Sequence, residues 1–119
     1  MSERITDALA RFRDDFNAND RVKSLVRNWN RVIRFEADGV DAVWYMAVTD
    51  GEMRLLDGPP ADGGDPVIEV ATHDPEILAT SFDGTGSPAR AHMDGDLELY
   101  CAETDRVKLD AISLVLWGA

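Results

Sequence analysis

Apolar residues recur at helical spacing from the start of the chain. Ile5, Ala8, Leu9, Phe12 and Phe16 fall on one stripe, with Arg, Asp and Glu on the other side, which predicts an amphipathic helix that Ser2 can cap. Asn17-Ala-Asn-Asp20 breaks it. Asn19 or Asp20 then caps a second helix, where Val22, Leu25, Val26 and Trp29 repeat the spacing. From Arg31 the period changes to two: Ile33, Phe35 and Ala37 alternate with Val32, Arg34 and Glu36, as in a strand with one buried face. Asp38-Gly39-Val40-Asp41 reads as a hairpin loop. Residues 42–48 are apolar on both faces, which predicts a central strand covered on each side. Thr49-Asp50-Gly51-Glu52 is a second turn and Met53–Asp57 a third strand, so 31–57 reads as an antiparallel meander.

Gly58–Asp65 carries neither pattern and reads as a surface excursion within one domain. Pro66–Ala71 is a fourth strand. Asp74 as cap and Pro75 at the first helical position open a helix bearing Ile77, Leu78 and Phe82. Ser87 and Pro88 repeat that arrangement for a helix of about a turn and a half, ending at Asp94-Gly95, where Gly readily takes the left-handed conformation. Leu97 and Leu99 alternate with Glu98 and Tyr100 in a fifth strand. Thr104 or Asp105 starts a last helix through Val107, Leu109, Ala111, Ile112, Leu114, Val115, Leu116 and Trp117, apolar around much of its circumference and expected to be buried on more than one side. The whole reads as one α+β domain, residues 1–119, with a mixed, mainly antiparallel sheet of about five strands covered by helices.

Several short runs in this order resemble the sterol carrier protein type 2 family. Residues 88–99, Pro-Ala-Arg-Ala-His-Met-Asp-Gly-Asp-Leu-Glu-Leu, fit a P-x-x-A-x-M-x-G-x-L-x-L run, and residues 50–58, Asp-Gly-Glu-Met-Arg-Leu-Leu-Asp-Gly, fit D-G-x-x-x-L-x-x-G. With Asp74-Pro75 between them, the resemblance spans roughly residues 29–116. One departure is Tyr100-Cys-Ala-Glu103, where the family often has a Gly-Asp pair after its last strand. The resemblance implies a sterol-carrier-like fold with a hydrophobic, lipid-binding tunnel.

Composition narrows the partners. Among 119 residues, 16 Asp and 7 Glu face 10 Arg and 2 Lys, a net charge of −11. Such a surface repels phosphate backbones and anionic headgroups, which argues against nucleic acid and against docking on anionic membranes. The excess of Asp over Lys fits a high-salt cytosol, where counterions screen self-repulsion, and equally fits a GC-rich coding bias. No apolar run is long enough to cross a bilayer, residues 1–20 are charged throughout, and the lone Cys101 excludes an internal disulfide, all of which predict a cytoplasmic protein.

Candidate chemistry is sparse. His73, Asp74, His92, Asp94 and Cys101 show no recognised metal-ligand spacing, and Asp57, Asp62 and Asp65 lack an EF-hand pattern. Ser87 has no G-x-S-x-G elbow and Gly84-Thr-Gly86 no P-loop lysine, while Cys101 lacks a basic neighbour. Neither enzyme nor cofactor is expected. What stands out is a surplus of bulky apolar side chains on elements that would converge on the sheet and last helix: Trp44, Met46, Met53, Leu78 and Phe82, then Met93, Leu97, Ile112, Leu116 and Trp117. Read alone they are an ordinary core. With the resemblance they become the lining of a site for a lipid, fatty acid or isoprenoid-like molecule, whose polar head would sit near Arg90 or His92. Two other readings stay open: an interaction module with the cavity filled, and a small hydrolase using His92 and Asp94. The sequence leaves the oligomeric state open.

Overall fold

Five strands form the frame of the computed structural model, which describes residues 2–60 and 64–118. β1 (Arg31–Ala37), β2 (Trp44–Thr49) and β3 (Glu52–Leu56) make the expected antiparallel meander, and β4 (Val67–Thr72) and β5 (Leu97–Tyr100) complete the order β3-β2-β1-β4-β5. β1 and β4 run parallel, with Ile33 beside Ile68 and Phe35 beside Val70; every other pair is antiparallel, so the sheet is mixed.

The register puts Ile33, Phe35, Met46, Met53, Val70 and Leu97 on one face, where they join the helices in a single hydrophobic cluster. The other face carries Arg34, Tyr45, Arg54, Glu69, Glu98 and Tyr100. The expectation that β2 is covered on both sides holds only in part: on this face Ala47 and its β1 neighbour Val32 are buried, though outside the hydrophobic cluster, while Tyr45 is half-buried.

α1 (Ser2–Asn17) presents its predicted stripe inward, with Leu9 and Phe16 fully buried. Its last residue secures an edge of the sheet: Asn17 donates to the Met53 carbonyl at 2.9 Å and accepts from the Met53 N–H at 2.8 Å. α2 (Asp20–Leu25) is shorter than its apolar spacing suggests. Asn19 caps it, and the chain then turns through Asn28 at φ 64°, so Trp29 reaches the core from an extended segment.

α3 (Pro75–Phe82) and α4 (Pro88–Met93) begin as predicted. Asp74 accepts from the Glu76 N–H at 2.9 Å and Ser87 from the Arg90 N–H at 3.0 Å. α4 ends where Gly95, at φ 83°, allows the Asp96 N–H to reach the Ala91 carbonyl at 2.9 Å. Cys101 and Ala102 connect β5 to α5 (Glu103–Trp117), whose cap position, Ala102, supplies no side-chain bond. α5 differs most from expectation. Val107 is 55% and Leu114 60% exposed, because the sheet face and the short helices α2 and α4 cover only part of its circumference. Asp62 of the Gly-rich loop lies outside the described residues.

Candidate functional site: an apolar cavity beneath the last helix

Where α5 crosses the sheet the packing leaves a narrow cavity of about 30 Å³. Ile33 and Phe35 of β1, Val70 of β4 and Leu99 of β5 form its sheet wall, placed there by strand alternation. Leu109, Ile112 and Trp117 of α5 cover it, and Pro88 and Ala89 bring in the first turn of α4. Phe12 of α1 and Phe82 of α3 complete it as part of an aromatic cluster. Phe12 stands 4.9 Å from Phe82 and 5.5 Å from Trp117 between ring centroids, and Phe82 meets Phe35 edge-on at 5.3 Å. Such a space holds a water or two by volume, yet its wall is apolar and offers water few partners. Two polar side chains join the lining, Asp110 and Ser113.

Of the ten side chains singled out from sequence, the cavity gathers Phe82, Ile112 and Trp117. Leu116 is half-buried and, with Trp117, borders a surface cleft formed by Gly84–Ser87 and Arg90. Met46, Met53, Leu78 and Leu97 are locked into the interior without lining the cavity, and Trp44 packs against α1, where its Nε1 donates to Thr6 Oγ1 at 3.0 Å. Met93 departs furthest. It closes the six-residue α4 just before the Gly95 turn and stands 81% exposed, so it does not converge on the sheet. Phe12, Ile33, Phe35, Val70, Leu99 and Leu109 had not been singled out, although their inward faces follow from the sequence periods; the missing information is which faces meet.

The polar anchor of α5 was also not anticipated. Asp105 is buried, and its Oδ1 accepts from Trp29 Nε1 at 2.9 Å while Arg31 Nε donates to both carboxylate oxygens at 3.1–3.2 Å. Burial pushes this carboxyl upward, but the hydrogen bonds from Arg31 and Trp29 win and hold it below the usual carboxylate range. Arg31 also lies over the Trp29 ring at 5.3 Å, and Lys108 Nζ donates to the Leu25 carbonyl at 2.7 Å. The first turns of α5 are thus tied to the α2–β1 connection.

The other candidate groups are placed as follows. His73 is exposed and His92 half-buried. Burial, followed by the charge of Asp105, pushes the Cys101 thiol up, away from nucleophilic reactivity. Among the described residues no group of three or more His, Cys, Asp or Glu is placed to hold a metal ion, and no helix is long and apolar enough to cross a membrane.

A five-stranded mixed sheet with helices on one face and an apolar cavity under the last helix defines an α+β fold. Solved structures make the class specific. The chain is similar to a UbiJ-SCP2 ubiquinone synthesis protein, with a TM-score of 0.57 and 14% identity over 88% of this chain and 84% of that one. It is equally similar in fold to sterol carrier protein domain 2 of Helicoverpa armigera, at TM-score 0.57 and 13% identity over 91% and 84% of the two chains. Sterol carrier protein 2 from Yarrowia lipolytica in its apo form follows, at TM-score 0.53 and 18% identity over 82% and 86%. The fold is that of sterol carrier protein type 2 domains. No protein-family model matches the sequence, and no curated protein does.

Proposed function

We propose that the protein is a non-enzymatic carrier that shelters the apolar tail of a lipid-like molecule between the sheet and α5. The observation that carries this reading is the cavity itself: Phe12, Phe35, Phe82, Ile112 and Trp117 surround apolar space beneath a helix whose first turns are anchored through Asp105 and Lys108. The driving force would be removal of the tail from water, at roughly 25 cal/mol per Å² of apolar surface. The names of the similar structures support it, since they point to sterols and to ubiquinone synthesis.

A cavity of about 30 Å³ is far below the roughly 300–1,000 Å³ of ordinary ligand pockets. Room for a tail must come from movement, and the C-terminal half of α5 is the element placed to supply it. The small volume also favours a second reading, in which the cavity stays closed and the fold acts as an interaction module through exposed groups such as Met93, Val107 and Leu114.

Lipid extraction from gently purified protein, together with tryptophan emission, separates the two. The carrier should release a co-purified long-chain compound into organic solvent. Adding a long-chain alcohol or fatty acid should shift emission to the blue, and the shift should vanish in Trp117→Phe. If no lipid is recovered and none changes emission, the interaction module takes its place.

A further inference from the structure

The cavity wall carries one charged side chain, Asp110. Asp110 lines the cavity from α5, as Pro88 and Ala89 do from α4, and its side chain is 39% exposed. Its Oδ2 accepts from Arg106 Nη1 at 2.9 Å, while Oδ1 has no hydrogen bond from the described residues. Arg106 does not neutralise this site, because the same guanidinium also pairs with Glu103. One cation against two carboxylates leaves the trio at −1, within a chain of net charge −11. Arg90 borders the neighbouring cleft with Leu116 and Trp117 rather than the cavity, and Arg11 beside Gly84 is 3.7 Å from Asp15.

Resting on the carrier reading, we infer that the ligand is a long-chain amphiphile with an uncharged, hydrogen-bond-donating head such as a hydroxyl, and that Asp110 makes the choice. A hydroxyl leaving the cavity between α4 and α5 finds an acceptor in Oδ1, and a hydrogen bond to an ionised acceptor is the stronger kind. An ionised carboxylate at the same place meets like charge where partial burial weakens solvent screening, and the field of the whole molecule opposes its approach. Polar heads that cannot be matched lose their hydration without compensation.

The test compares dodecan-1-ol with dodecanoate at pH 8 in 0.15 M KCl, so that tail length is constant and the acid is ionised. Binding is read from tryptophan emission, with circular dichroism confirming the fold of each variant. Dodecan-1-ol should bind at least tenfold tighter than dodecanoate. Because ionised acids leave water less readily than alcohols in any case, the deciding measurement is the change on mutation. Asp110→Asn keeps an acceptor and removes the charge, so dodecanoate should tighten at least fivefold while dodecan-1-ol weakens. Arg106→Gln should move dodecanoate the other way. The inference is overturned if Asp110→Asn leaves the ratio of the two affinities within twofold, or if dodecanoate binds as well as the alcohol and loses that binding in Arg90→Gln; both outcomes leave the carrier reading intact. If neither compound binds, the inference and the carrier reading fall together.

Discussion

The two long helices of this fold hold to the sheet in opposite ways. α1 buries an unbroken stripe: Ile5, Ala8, Leu9, Phe12 and Phe16 are each at most 3% exposed, and Asn17 adds two hydrogen bonds to the backbone of the edge strand β3. α5 is about as long, yet the residues it buries fully are Asp105, Ile112 and Ser113, while Leu109, Val115, Leu116 and Trp117 are only partly covered. Asp105 and Lys108 tie its start to β1 and α2 by hydrogen bonds, whereas the half that follows, over the cavity, is held by buried Ile112 and Ser113 and by the stacking of Trp117 on Phe12. The same sheet face thus supports one helix as a structural wall and the other as a cover. What separates them is how much of each apolar stripe finds a partner.

Truncation of a core side chain sets the scale of the difference. Leu9→Ala should cost about 3 kcal/mol, since a fully buried leucine loses its transfer energy and leaves a void. Leu116→Ala, from a half-buried site on α5, should cost under about 1 kcal/mol. Urea denaturation of both variants checks this. Equal losses would mean that α5 is packed as tightly as α1, and the contrast would disappear.

Next in size is the anchor of α5. Asp105→Asn should cost about 2 kcal/mol at pH 7, because hydrogen bonds to a charged group are lost and Arg31 is left without its carboxylate. The pH dependence follows from the direction of the shift. A carboxyl held below its unfolded value contributes stability that is fully present above the ordinary carboxylate range, and that stability is lost as pH falls through the folded value. Wild type should therefore lose stability in acid more steeply than Asp105→Asn, with the two curves converging at low pH. Parallel curves would show that Asp105 is not the anchor.

Much of this architecture was legible in the sequence, and the boundary of what was legible is physical. The alternation of Ile33, Phe35 and Ala37 with Val32, Arg34 and Glu36 correctly gave the two faces of β1, and the Ser87-Pro88 and Asp74-Pro75 pairs correctly gave two helix starts, because period and capping are local properties. Coverage is not local. Residues 42–48 are apolar on both sides, yet Tyr45 is only half-buried, and α5 is apolar around its circumference yet leaves Val107 and Leu114 in solvent. Methionine suited the expected ligand wall by its chemistry, but Met46 and Met53 are sealed in the interior and Met93 points outward. Asp105 looked like a helix cap at its place in the sequence. Its true partners, Trp29 and Arg31, lie more than 70 residues away, a pairing that only the fold can reveal.

Hydrogen exchange sharpens the comparison at its smallest scale, that of local opening. The amides of Leu9–Phe16 sit in a helix whose apolar stripe is sealed, so they should exchange only when the whole molecule unfolds. Those of Leu109–Trp117 should exchange at least tenfold faster, since partial burial lets that segment lift while the Asp105 anchor stays in place; tenfold corresponds to about 1.4 kcal/mol of lower opening energy. Removing the anchor should abolish the division within α5, so that in Asp105→Asn the first turns exchange as fast as the last. Saturation with dodecan-1-ol should slow exchange across Leu109–Trp117 and leave Leu9–Phe16 unchanged, because a tail in the cavity gives Ile112 and Trp117 the partners that the sheet does not. If α5 instead exchanges with α1, at the rate of global unfolding, then the helix does not open ahead of the fold. The cavity of about 30 Å³ would remain the gap of a closed core, and the exposed side chains of α4 and α5 would become the surface to follow.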